Sequence, residues 1–206
     1  MNIIIVFHSI YGHTYTLAEN IKLGAQQIKG ASVKIMKVRE TLPENIIKEM
    51  GGEETLKSFS HIPAAQPEDL LRADCIVLGS PTYFGKVSSQ MAAFMDETSC
   101  FFREHSLKNK IGGAFVSSGC QNGGAEEAIR MIHNYFFHNS MIVVGTDASD
   151  PDMERIDIVS GTSPYGVSCV SGEKYNSRPV TETEKKFARN FGKRLASFTE
   201  KLCHEN

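Results

Sequence analysis

Ile3 to Phe7 form an unbroken β-branched and aromatic run, the pattern of a strand covered on both faces as in parallel sheets. The spacing then changes. From Thr14 to Ile28, Leu17, Ala18, Ile21, Ala25 and Ile28 recur at helical intervals, and Gly30 supplies a stop. Ala31 to Val38 places Val33, Ile35, Met36 and Val38 among polar residues, which predicts a second strand nearer the sheet edge. Together these segments make one βαβ unit. Residues 39–66 carry Pro43, Gly51, Gly52 and Pro63 with weak periodicity. They predict an irregular excursion with a helical turn over Glu44 to Met50 and no legible function.

The alternation resumes downstream. Pro67 opens a short helix to Arg72, Cys75 to Leu78 predicts a buried strand ending in Gly79-Ser80-Pro81, and Ser88 to Glu104 predicts a helix with Met91, Phe94 and Met95 inward. Ile111 to Val116 is the fourth expected strand, Gly123 to Phe137 a helix, and Met141 to Gly145 the fifth strand. A last helix spans Thr181 to Leu202, where Thr181 and Glu184 have the spacing of a capping box. Strands alternating with helices predict an α/β fold: a doubly wound, five-stranded parallel sheet with helices on both faces. At 206 residues, one domain over 1–206 is expected.

Composition narrows the function classes. An apolar fraction of 41% and a charged fraction of 22% suit a packed core. The net charge of −2, from 22 basic against 24 acidic residues, offers no field for nucleic acid or an anionic membrane. The basic cluster of Lys185, Lys186, Arg189, Lys193 and Arg194 lies beside Glu182 and Glu184 and reads as a solvated helix face. No apolar run is long enough for membrane insertion, and the short apolar start reads as a strand rather than a signal peptide. Five cysteines, with no C-x-x-C pair, argue against a disulfide framework and fit a reducing cytoplasm. The seven histidines show no i, i+4 pair on a helix, so no metal site is expected.

In an open parallel sheet, ligands sit beyond the carboxyl ends of the strands. Three loops there carry candidate chemistry. Ser9, Ile10, Tyr11, Gly12, His13 and Thr14 lead from the first strand into the first helix, and their hydroxyls and amides could surround a phosphate monoester without a cation. G-x-G-x-x-G and a P-loop are both absent, which points to a mononucleotide. Helix capping accounts for Ser9 and Thr14 equally well. Pro81, Thr82, Tyr83 and Phe84, between Gly79 and Gly85, offer aromatic faces for a flat ring such as an isoalloxazine, unless the rings turn into the core. Ser117, Ser118, Gly119, Cys120, Gln121, Asn122 and Gly123 form a small polar loop. It could bring amides to the side of a reduced flavin where charge collects, or be a surface turn. Nothing nearby is cationic enough to activate the Cys120 thiol, so a packing or neutral role is expected.

In combination, the segments 9–14, 79–85, 90–96, 117–124 and Gly161-Thr162-Ser163-Pro164-Tyr165-Gly166 resemble the WrbA family of flavodoxin-like NAD(P)H:quinone oxidoreductases. The likeness spans nearly the whole chain. It implies FMN as cofactor, NADH or NADPH as reductant and a small-molecule quinone as acceptor. Phosphate contacts would come from Ser9 to Thr14, and ring contacts from Thr82, Tyr83, Phe84 and Ser118 to Gly123. Tyr11 and His138 would line the cavity as candidate proton donors, and Phe102 would face the substrate. The resemblance also implies a homotetramer whose sites are completed by a neighbouring subunit. Three departures stand out: Tyr83 replaces a usual Arg, Phe102 a usual Trp, and Gly119-Cys120-Gln121-Asn122 a run richer in Thr and Gly. The competing readings are a one-electron carrier of the flavodoxin kind, against which the near-neutral charge argues, and a non-catalytic interaction module.

Overall fold

The structure, a computed structural model, describes residues 1–172 and 178–204. Its centre is a parallel sheet. The first strand, β1 (Asn2–Phe7), lies between β2 (Ser32–Lys37) and β3 (Cys75–Tyr83), and β3 is flanked in turn by β5 (Ile111–Ser118). The chain returns across β1 to reach β3, so the strand order reverses between these two. That is the switch point where parallel sheets open a crevice.

The fifth position differs from the expected single strand. Ile142–Val143 (β6) pairs with the start of β5, and Val167–Val170 (β7) pairs with its end. One sheet position is thus filled by two short segments, and residues 144–166 leave the sheet between them. The third strand also runs further than its apolar core. It continues through Pro81 to Tyr83 and turns back as β4 (Lys86–Val87), in an antiparallel hairpin closed by Phe84 and Gly85. Both turn residues have positive φ, 52° and 74°, which matches the right-handed twist of the flanking strands.

Helices cover both faces because alternate residues of each strand point to opposite sides. Ile3, Ile5 and Phe7 pack against α1 (His13–Ala25) and α7 (Glu182–His204), through Leu17, Ile21, Phe191 and Leu195. Ile4, Val6, Ile76 and Leu78 meet the other layer. It contains α4 (Ser89–Glu97), with Met91 and Phe94, and α6 (Ala125–His138), with Ile129, Ile132 and Phe136. The helix expected over Ser88 to Glu104 is broken at Thr98, whose hydroxyl bonds the Met95 carbonyl and the Tyr135 hydroxyl; α5 (Ser99–Glu104) follows. The capping box forms: the Thr181 amide donates to Glu184 at 2.8 Å, and the Glu184 amide to Thr181 Oγ1 at 3.3 Å.

The excursion after β2 has structure. It holds α2 (Glu44–Glu49) and α3 (Glu53–Ser58), and the Phe59 ring then packs tilted against Tyr15 and edge-on against Phe7, with centroids 4.8 and 5.7 Å apart. Thr55 and Gly52 reach Gly12 and Ile10, so this segment braces the loop after β1. No helix among the described residues is long and apolar enough to cross a membrane.

Candidate functional site

A cleft of about 190 Å³ opens at the carboxyl edge, where the loops after β1, β3 and β5 converge. Ser9, Ile10, Tyr11, His13, Pro81, Thr82, Tyr83, Ser117 and Gly119 line it, joined by Ser171 and Gly172 after β7. The last two were not foreseen. Their signal was present in Val167 to Val170 followed by Ser171-Gly172, an apolar run ending in small polar residues like the other three.

The loop after β1 is wound tightly against α1. Gly12 caps the helix with φ 92°, its amide donates to Ser9 Oγ at 3.0 Å, and its carbonyl accepts from the Thr16 amide and hydroxyl. Ser9 therefore keeps its hydroxyl proton to donate. Thr14 is fully buried, and its hydroxyl lies 3.0 Å from that of Ser117, tying the first loop to the third. His13 Nε2 donates to the Arg178 carbonyl at 2.8 Å, so its ring holds the first turn of α1 to the residues after β7. The Arg178 guanidinium in turn bonds Glu184, which is fully buried, and the Val170 carbonyl.

Tyr83 and Phe84 do not turn into the core. Tyr83 lines the cleft, whereas Phe84 stands fully exposed at the hairpin tip. Thr82 Oγ1 is buried at the cleft without a hydrogen-bond partner among the described residues. Such a hydroxyl is costly unless a bound group satisfies it. The third loop divides: Ser117 and Gly119 face the cleft, while Ser118, Cys120, Gln121 and Asn122 line an adjoining cavity of about 400 Å³ with Glu126, Glu127 and residues 160–163. Gly123 lines neither. Cys120 is exposed, which leaves the neutral rather than the packing role for its thiol.

His138 and Phe102 are not brought to the cleft. Both are exposed. His138 ends the 14-residue α6, which starts at the cleft edge and carries the chain about 20 Å to the opposite edge of the sheet. Phe102 sits near the end of α5, beyond the same kind of crossing.

The cleft suits a phosphorylated flavin. Among the described residues no lysine or arginine lines it, leaving hydroxyls, backbone amides and the start of α1 to receive an anion. The unsatisfied Thr82 hydroxyl and the Tyr83 side chain, both at the cleft, are of the kinds that fit the polar edge and the face of a planar heterocycle.

Residues 1–151 match the NADPH-dependent FMN reductase family. A NAD(P)H dehydrogenase (quinone) of Geotalea daltonii is 39% identical over 202 residues, covering 98% of each chain. The protein of that name from Methanosarcina barkeri is 39% identical over 202 residues, covering 96% of this chain and 97% of its own. The chain belongs to this flavoprotein family. Among solved structures, a flavodoxin, WrbA-like protein of Agrobacterium tumefaciens superposes with a TM-score of 0.64 at 20% identity, over 97% of this chain and 98% of that one. A flavodoxin from the domain Archaea gives 0.62 at 22% identity, over 97% and 99%. These two likenesses are ones of fold. Within the family fold, the split fifth strand places Ser171 and Gly172 beside the three expected loops.

Proposed function

We propose that this chain is an FMN-dependent NAD(P)H:quinone oxidoreductase. The observation that carries the reading is the cleft at the switch point, lined among the described residues by hydroxyls, backbone amides and the aromatic rings of Tyr11 and Tyr83 with no lysine or arginine, in a chain alike over nearly its whole length to NAD(P)H dehydrogenases (quinone). When bound, FMN supplies the centre that accepts a hydride from a nicotinamide and passes two electrons to a quinone.

The chain's own part is binding, orientation and proton supply. Ser9, the amides around Gly12 and the N-terminus of α1 would hold the phosphate, with Thr14 and Ser117 fixing the loop from behind. The Thr82 hydroxyl would satisfy a polar atom of the ring edge, and Tyr83 would offer a stacking face. Backbone amides at Ser117 and Gly119 would face the side of the flavin that gains negative charge. Tyr11 would protonate a quinone oxygen from within the chain.

His138 and Phe102 take their roles only across copies. In a homotetramer, their exposed positions on α6 and α5 would meet the cleft of a neighbouring subunit. Five thiols without a pairing fit work in the cytoplasm, where disulfides are rare.

The visible spectrum of the purified protein with added FMN tests the reading. NADH or NADPH should bleach the bound flavin, and benzoquinone should restore it with turnover. No FMN uptake would overturn the proposal. FMN uptake without NAD(P)H oxidation, and with one-electron reduction by dithionite, would favour the carrier.

A further inference from the structure

A buried polar cluster lies beside the cleft without lining it. His8 follows β1 directly, ahead of Ser9, and is 3% exposed. Glu40 follows β2, and Gln90, 4% exposed, is the second residue of α4. The Glu40 carboxylate joins all three segments. One oxygen meets His8 Nε2 at 3.0 Å; the other accepts from Gln90 Nε2 at 2.6 Å and from the Thr41 and Leu42 amides at 2.8 and 2.9 Å. Since an ionised carboxylate only accepts, His8 presents its proton on Nε2.

The position of this cluster gives it a consequence for the cleft. The start of α4 is anchored to β3 through Ser80 and Ser88: the Ser88 amide donates to Ser80 Oγ at 2.8 Å, and Ser88 Oγ caps the Met91 amide. The hairpin with Thr82 and Tyr83 hangs between those two serines. Gln90 is the second anchor of the same helix start, and it runs through Glu40 to the residue that opens the loop after β1. The loop after β1 and the hairpin are thus connected from behind.

We propose that Glu40 is a positioning residue that sets the separation between the phosphate loop and the flavin hairpin. This rests on the cleft being the FMN site. The carboxylate touches neither cofactor nor substrate; it acts by holding Ser9 and Thr82 at one spacing, so that phosphate and ring are met together. Small displacements of such supports cost binding and rate well away from the chemistry.

The test uses the full chain with FMN. The parent is titrated with FMN and assayed with NADPH and benzoquinone first; a parent that takes up no FMN overturns both this proposal and the functional reading. In Gln90→Ala and in Glu40→Gln, FMN affinity should fall about tenfold or more, and the visible band of the bound flavin should shift. The apoprotein should still unfold cooperatively. The exchange Glu40→Gln with Gln90→Glu restores a carboxylate–amide bond between the same two segments and should recover most of the lost affinity. If Glu40→Gln does not fold, Gln90→Ala carries the test alone, since it leaves Glu40 bonded to His8, Thr41 and Leu42. FMN affinity unchanged in Gln90→Ala overturns the proposal while leaving the functional reading intact. So does a loss in Glu40→Gln that the exchange does not recover, because Glu40 would then merely be closing its own turn.

Discussion

Gly124 and Gly85 touch backbone to backbone: a Cβ on Gly124 would lie 2.6 Å from the Gly85 Cα. One caps α6 after the third loop, and the other closes the hairpin that carries Tyr83 and Phe84. Both have positive φ, 81° and 74°. The close approach holds the third loop and the hairpin together, as the Thr14–Ser117 bond holds the first loop to the third. Gly124→Ala should therefore push the hairpin outward. We expect a stability loss of about 1–3 kcal/mol from the clash and the left-handed backbone, and a larger proportional loss of FMN affinity. Chemical denaturation beside a flavin fluorescence titration separates the two; FMN binding that stays at the parent level would show that the hairpin carries no contact to the cofactor.

Removing the Thr14 hydroxyl should loosen the junction of the first and third loops. Thr14→Val keeps the shape but leaves the Ser117 hydroxyl without its partner in a buried place. The expected cost is about 1–2 kcal/mol of stability, with weaker FMN binding. Thermal melts with and without FMN measure both: the shift that FMN produces should shrink in the variant.

Acid should weaken the chain through Glu40. Burial alone would raise its pKa, but hydrogen bonds from His8, the Leu42 amide and Gln90 outweigh that and lower it from 4.5 to about 2. A depressed folded pKa means stability that is present above about pH 4.5 and is lost as pH falls towards 2. Because the carboxylate is partly open to solvent, the contribution is about 1–2 kcal/mol rather than the full value of the shift. Denaturant midpoints measured from pH 6 downwards should fall across that window in the parent, and less steeply in Glu40→Gln.

Tyr83 offers a stacking face and no charge at the mouth of the cleft. Tyr83→Arg should lower the KM for NADPH more than that for NADH, because only NADPH brings the additional phosphate, and salt should reduce the gain. FMN affinity should fall less than it would on truncation of the ring, since the planar guanidinium also stacks on an aromatic face and the loop after β1 is untouched. Steady-state kinetics with both nicotinamides at low and high ionic strength check this; equal effects on the two would remove Tyr83 from the path of the nicotinamide cofactor.

His138→Ala and Phe102→Ala should lower quinone turnover while leaving FMN affinity unaltered, provided that neighbouring subunits complete the cleft. Sedimentation velocity gives the assembly state beside the kinetics. A monomer with full activity, or variants with undiminished turnover, would leave both residues without a role.

Much of this protein was legible from its sequence. Strands covered on both faces must be apolar at successive positions, so Ile3 to Phe7 and Cys75 to Leu78 stand out, and helices packed on one side must repeat their apolar residues, as Leu17 and Ile21 do. The three loops could be read because small polar residues directly follow such runs. What tertiary structure alone decided are the relationships between distant segments. The apolar residues of Met141 to Gly145 announce one segment at the fifth position, but Val167 to Val170 is short and broken by Ser168, so its pairing with the end of β5, which brings Ser171 and Gly172 to the cleft, follows only from the fold. His138 and Phe102 look like site residues by resemblance, yet helices that run back along the sheet carry them away from the cleft of their own chain. The Glu40–Gln90 bond spans 50 positions, and no local pattern marks it. It exists because folding brings the end of β2 beside the start of α4, where a buried amide and a nearby carboxylate each need a partner.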